Sequence, residues 1–143
     1  MDRAYPSRPL VGVGVAIFHA DRVLLIRRGK EPRKGQWSLP GGLQHLGETV
    51  AEAARREVRE ETGLELERLD QIAVVDSIRR DEEGRVAYHY TLIDFAAEAR
   101  SDEARAGDDA AAVAWVGLDE LERYGLWAET VRIIRLSAER LAR

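Results

Sequence analysis

The sequence predicts an α+β domain in which a mixed β-sheet packs between helices. Three observations lead there. Short apolar stretches at hairpin spacing, Val11–Phe18 with Val23–Arg27 and Gln71–Ile78 with Val86–Phe95, read as paired strands. Between these pairs lies a stretch free of proline and glycine, Val50–Thr62, with a helical apolar stripe. A second amphipathic stretch, Trp127–Leu141, follows the last strand signal, so strands and helices are mixed without the repeat of a doubly wound sheet.

The elements follow in order. Val11–Phe18 reads as a buried strand, His19, Ala20 and Asp21 as a short turn, and Val23–Arg27 as the returning strand. Gly12 and Gly14 lack the third glycine and following helix of a dinucleotide fingerprint, and glycines inside a strand permit close packing. Gly29–Gly35 is a charged loop with Lys30, Glu31, Arg33 and Lys34. It leads to Trp37, Leu39, Pro40, Gly41 and Gly42, where the backbone is expected to turn sharply.

Thr49 followed three residues later by Glu52 is a capping box, and Gly63 fits a left-handed helix terminus. Asp81–Gly84 reads as a turn between two strands, and Arg100–Asp109 as a polar loop. Ala112–Val116 reads as a short strand and Leu118–Tyr124 as a short helix. In the final helix Val131, Ile134, Leu136 and Leu141 set against Arg132, Arg135 and Arg140 fit docking onto the sheet.

Composition narrows the function classes. The 143 residues are expected to form one domain over 1–143, with a flexible N-terminus at 1–9 and no room for a second domain. Cysteine is absent, which excludes disulfides, thiolate zinc sites and a cysteine nucleophile. A net charge of -4 with acids and bases intermixed gives no basic block for nucleic acid. Leu10–Phe18 is too short to span a bilayer, and the polar, proline-containing opening is unlike a signal peptide. The expectation is a cytoplasmic protein acting on a small molecule, with no nucleic-acid or membrane partner.

The chemistry concentrates on the Val50–Thr62 helix. At 100° per residue, Val50, Ala53, Ala54 and Val58 form the core-facing stripe, while Glu52, Arg55, Arg56 and Arg59 fall on the far, solvated side. Glu57 and Glu61 break the pattern: one turn apart, they point inward, with Glu60 at the edge of that sector. Inward carboxylates are costly unless paired or bound to a cation, and crowding raises their pKa values. A structural ion-pair network with Arg56 is the alternative reading.

The surrounding spacing extends the pattern. From Gly42, five residues lead to Glu48 and seven more to Arg56-Glu57, followed by Val58, Arg59, Glu60-Glu61, Thr62, Gly63 and Leu64. This segment, 42–64, resembles the Nudix box, the signature of the Nudix hydrolases, at every constrained position. Average residue usage would produce such a match on the order of once in a billion starting positions. Trp37-Ser38-Leu39-Pro40-Gly41-Gly42 is similar to the family's lead-in, and Ala114-Trp115-Val116 with Leu118-Asp119-Glu120-Leu121 to a late family segment.

The resemblance implies the Nudix fold, an α/β/α sandwich, and hydrolysis of a diphosphate linkage in a nucleotide derivative. Glu57, Glu60 and Glu61 match the family's metal-binding glutamates, and the Gly41 carbonyl matches a backbone ligand of some members. Mg²⁺ is the implied cofactor, with Mn²⁺ as substitute; oxygen ligands, waters and substrate phosphates suit it. Arg56 would orient a neighbouring carboxylate, and Glu48 would supply either a further bridge or a structural contact. Arg28 matches a position that reaches substrate phosphate, the alternative being a solvated strand end; Gly41 and Gly42 would lie beside the substrate.

Ala106-Gly107-Asp108-Asp109-Ala110-Ala111 resembles ADP-ribose pyrophosphatase-type members, and Asp109, ahead of Asp108, is the expected additional acid near the metals, the alternative being two surface acids preceding a strand. Tyr88 and Tyr90 share one strand face and His89 the other, so only one set can offer rings to a base. The first expectation is therefore conversion of ADP-ribose to AMP and ribose 5-phosphate. The alternatives are a nucleoside triphosphate pyrophosphohydrolase clearing damaged nucleotides and a non-catalytic nucleotide-sensing module. A homodimer is compatible with the resemblance.

Overall fold

The computed structural model describes residues 3–31 and 33–143. Its strands are β1 (Leu10–His19), β2 (Arg22–Arg28), β3 (Trp37–Ser38), β4 (Gly41–Leu43), β5 (Leu66–Arg80), β6 (Val86–Ala99) and β7 (Ala110–Gly117). Its helices are α1 (Val50–Thr62), a 3₁₀ helix (Leu118–Tyr124) and α2 (Ala128–Leu141). The seven strands form one mixed sheet in the order β3-β2-β1-β6-β5, with β4 paired to β1 and β7 to β2. Only β1 and β6 run parallel among the described pairs. The α+β expectation and the α/β/α layering hold.

Side-chain alternation along β1 builds two cores. Val13, Val15 and Ile17 point to one face, where they meet Phe95 and Ala97 of β6 and Ala53, Ala54 and Val58 of α1. Ala16 and Phe18 point to the other, against Val23, Leu25, Val116 and Ile134 of α2. Burying each large aliphatic side chain here contributes roughly 1.5–3 kcal/mol. The two helices are thereby held on opposite faces of one sheet.

The edge of β1 is divided between two partners. Its first half pairs with β4, from Gly12 opposite Leu43 to Gly14 opposite Gly41, and its end pairs with β2 at Phe18 opposite Val23. The sharp turn expected over Trp37–Gly42 falls at Leu39 and Pro40, where the chain reverses between the two short strands β3 and β4. Glycine makes this close lamination feasible, because a Cβ on Gly41 would collide with the Val13 carbonyl oxygen.

Other boundaries differ by a few residues. β5 begins at Leu66, ahead of the expected Gln71, because Arg68 pairs with Asp70 at 3.0 Å and with Glu98 of β6 at 3.4 Å, carrying the strand through a charged stretch. In the expected flexible stretch 1–9, Met1 and Asp2 lie outside the described residues. Tyr5 is anchored: its hydroxyl donates to Asp81 Oδ2 at 2.9 Å and its amide to the Ala87 carbonyl at 2.8 Å. No helix among the described residues is long and apolar enough to cross a membrane.

Candidate active site

Local sequence fixes α1 in place before any tertiary contact is counted. Thr49 Oγ1 accepts from the Glu52 amide at 3.0 Å while Glu52 Oε1 accepts from the Thr49 amide at 2.9 Å, which is the reciprocal capping box. Gly63 ends the helix at φ 74° and donates its amide to Arg59. With Ala53, Ala54 and Val58 fully buried against the sheet, the rotation of the helix is set, and Glu57 and Glu61 face β4.

Glycines 41 and 42 form the floor on which these carboxylates rest. The Gly41 amide donates to Glu61 Oε1 at 3.3 Å. The Glu57 carboxylate lies so close to the Gly42 α-carbon that a Cβ would sit 2.5 Å from Glu57 Oε1. Glu61 is only 8% exposed, and its Oε2 is buried with no hydrogen-bond partner among the described residues. Burial first, then the charge of Glu57, push the Glu61 carboxyl up to about 8, against the opposing pull of the Gly41 amide and Arg28.

Arg56 is the centre of the adjoining network. The helical wheel sends it to the solvated side, but its side chain folds back and is only 17% exposed. A long, flexible stem lets the guanidinium leave the sector in which its Cβ points. Its Nε and Nη2 bind both oxygens of Glu48 at 2.7 and 3.0 Å, Nη2 also binds the Leu43 carbonyl at 2.8 Å, and Nη1 reaches Glu57 at 2.8 Å and Glu60 at 3.2 Å. Arg56, with help from the His45 amide, holds Glu48 down to about 2. Glu48 thus makes a structural contact with Arg56 and the His45 amide.

Glu60 is the more exposed member of the acidic group, at 41% of its side chain. Among the described residues no three acidic or histidine side chains form a closed metal cage. Arg56 draws Glu57 and Glu60 toward itself, while Glu61 stays on the glycine floor. That donor set nonetheless suits a hard cation that takes one or two carboxylates and completes its shell with water and phosphate. The buried, unpartnered Glu61 oxygen is the specific observation favouring such a fit.

The remaining expected residues divide. Arg28 stands at the end of β2, where the register with β7 shifts; its amide donates to Gln36 and its carbonyl accepts from Gly35. It is close enough to Glu61 to oppose the rise in its pKa. Asp109 is not gathered with the glutamates. Its carboxylate pairs with Lys30 at 2.7 Å, both side chains being about two-thirds exposed. Arg33, in the charged loop, has its pKa lowered by burial and then by Arg79 and Arg28, with Tyr90 and Tyr88 nearby. Arg79 stacks over the Tyr88 ring at 5.1 Å. Positive charge and aromatic surface thus collect around Arg33; Pro32 of this loop lies outside the described residues.

Sequence reasoning missed two features. Asp94, on the α2 face of β6, is 7% exposed, and a Cβ on Gly14 would come within 2.6 Å of its Oδ1. Its signal was a lone acid inside the apolar run Leu92–Ala97. The second is the backbone contact of Arg105 and Gly107 with the end of α1, which no side-chain pattern announces.

Known proteins resemble this arrangement along most of the chain. The ADP-ribose pyrophosphatase of Methanocaldococcus jannaschii is 38% identical over 123 residues, which cover 86% of this chain and 70% of that protein. The crystal structure of a MutT NUDIX hydrolase from Burkholderia pseudomallei superposes with a TM-score of 0.78 at 36% identity, covering 91% of this chain and 98% of the other. A bifunctional NMN adenylyltransferase/ADP ribose pyrophosphatase from Francisella tularensis, solved with AMP and a Mn ion, superposes with a TM-score of 0.68 at 28% identity; it covers 93% of this chain, which spans 42% of that protein. Residues 8–136 match the NUDIX domain, and the chain belongs to the Nudix hydrolases, enzymes that act on a diphosphate linkage.

Proposed function

We propose that this Nudix hydrolase cleaves the diphosphate of ADP-ribose, giving AMP and ribose 5-phosphate, with Mg²⁺ as its usual ion and Mn²⁺ as substitute. The observation that carries the substrate choice is the 38% identity to an ADP-ribose pyrophosphatase over most of both chains. The chemistry rests on the carboxylates crowded over Gly41 and Gly42.

In this reading Glu57 and Glu61, joined by Glu60 and the Gly41 carbonyl, hold the divalent cation. When bound, the ion neutralises the diphosphate and lowers the pKa of an attacking water. The protein's own groups do the rest. Arg56 keeps Glu57 and Glu60 oriented through bonds at 2.8 and 3.2 Å, and Glu48 keeps Arg56 in place. Arg28 faces the phosphates, and the nearby Arg33, Arg79 and Tyr88 favour an anionic substrate with a ring to stack. The Gly42 floor lets Glu57 approach without a side chain between them. Phosphoryl transfer then depends on positioning and electrostatics.

A substrate panel with Mg²⁺, scoring AMP, phosphate and pyrophosphate separately, tests this reading. ADP-ribose should exceed ATP, GTP and oxidised deoxynucleoside triphosphates in kcat/KM by at least about tenfold, roughly 1.4 kcal/mol of transition-state preference. A site that grips the terminal ribose leaves its polar groups unpaired with analogues lacking it. Pyrophosphate release from a triphosphate at equal efficiency overturns the choice in favour of a nucleoside triphosphate pyrophosphohydrolase.

A further inference from the structure

We propose that the segment from Arg105 to Asp109 is a backbone clamp on the last turn of α1, with Gly107 as a positioning residue for Glu60 and Glu61. An α-helix leaves its last four carbonyls without intrahelical donors. In α1 the Arg59 carbonyl is taken by Gly63 at 2.9 Å. The next three face a segment from far downstream. The Glu61 carbonyl accepts from the Gly107 amide at 2.9 Å, and the Thr62 carbonyl from the Arg105 amide at 3.0 Å. The Glu60 carbonyl oxygen lies against the Gly107 α-carbon so tightly that a Cβ there would collide with it.

The clamp has its own anchors. Ala104 packs on the core beneath α1, and the Trp115 indole donates to the Asp102 carbonyl at 2.9 Å. At its other end the Gly29 amide donates to the Asp109 carbonyl at 2.8 Å, beside the Lys30–Asp109 ion pair. An exposed pair of that kind contributes at most about 1 kcal/mol, so the backbone bonds carry the connection. The last turn of the acidic helix is therefore tied through main-chain groups to the loop that follows β2. Glu60 and Glu61 cannot slide along the helix axis without breaking two of these bonds. The segment thus contributes through its backbone rather than through the Asp109 carboxylate.

This inference rests on the reading of Glu57 and Glu61 as cation-holding residues. It is tested with Gly107→Ala in the full chain, measuring Mn²⁺ affinity by calorimetry alongside kcat and KM. Expected are a loss of Mn²⁺ affinity of about tenfold or more, a similar fall in kcat, and a KM at saturating metal within about threefold of the original, since a 1 Å misplacement costs up to about a hundredfold. Unchanged Mn²⁺ affinity and kcat in folded Gly107→Ala overturn the clamp. If that variant does not fold, amide exchange in the unaltered protein decides. The Gly107 and Arg105 amides should then be protected as strongly as the Gly63 amide that ends α1, and exchange at the rate of an unstructured peptide overturns the clamp. Glu61→Gln separates the two ideas: normal Mn²⁺ affinity in that variant defeats the underlying reading, whereas loss there with a normal Gly107→Ala defeats the clamp alone.

Discussion

Glu61 and Asp94 are the two buried acids among the described residues, and they lie on opposite faces of the same sheet. Burial is the first cause of the upward pKa shift in both, to about 8 for Glu61 and about 6 for Asp94. Each also lies beside a glycine: Asp94 against the Gly14 α-carbon, and Glu61 accepting from the Gly41 amide. The surroundings then diverge. Glu61 has a second carboxylate, Glu57, as its next neighbour in effect, whereas Asp94 has the balancing charges of Arg132 and Glu129, themselves paired at 2.7 Å. Burial alone therefore does not mark a site. Like charge added to burial, with an oxygen left unpartnered, marks a place that a cation would relieve.

The largest test of this contrast is Glu61→Gln, which keeps the shape and removes the charge. It is expected to lower kcat about a thousandfold, roughly 4 kcal/mol of barrier, with the thermal midpoint unchanged or raised. Near-normal turnover would show that the crowding on α1 has no catalytic meaning.

Asp94→Asn should do the reverse, acting on stability while leaving the chemistry alone. Its carboxyl rises from 3.8 to about 6 on folding, so ionisation opposes the folded state. The native protein therefore keeps its full stability below about pH 4 and loses part of it as pH climbs through 6. Above that the penalty is constant, at roughly 3 kcal/mol. Urea midpoints across pH 4–8 should show Asp94→Asn gaining on the original protein over the acidic half and holding a fixed lead beyond it. Parallel curves would mean that burial places no net penalty on ionised Asp94.

A matched pair of glycine substitutions gives the finest resolution. Gly42→Ala drives a methyl into the Glu57 carboxylate and is expected to cost kcat about ten- to a hundredfold. Gly14→Ala drives one toward Asp94 and should cost about 1–3 kcal/mol of stability with kcat within about threefold. Equal kinetic effects from both would erase the distinction between the two faces.

What the sequence disclosed follows the range of the forces involved. The limits of α1, its capping box and its terminal glycine were all legible, because each is set by residues within a few positions of one another. Glu57 and Glu61 were legible as inward residues for the same reason. Arg56 was misplaced because a wheel locates Cβ atoms, and a guanidinium at the end of a long stem answers to Glu48 and the Leu43 carbonyl instead. β3 and β4 were hidden because two- and three-residue strands containing glycine carry no alternation to read. The pairing of Asp109 with Lys30 was not legible, because the two lie far apart in the chain. The Gly107 contact is made by main-chain atoms that every residue possesses, so composition is silent about it.

The parallel pairing of β1 with β6 bears on how the molecule comes together. Leu10 registers with Tyr90 and Phe18 with Glu98, so this ladder closes a loop containing β2, β3, β4, α1 and β5. By contrast, β5 and β6 join across the short Asp81–Gly84 turn. Non-local ladders of the first kind form slowly, whereas local hairpins zip early. During synthesis every acidic residue of α1 emerges well before β6 can close the sheet beneath it. The nascent helix therefore waits as a solvated, charged segment, and its carboxylates meet the cost of burial only once the ladder that confines them has formed.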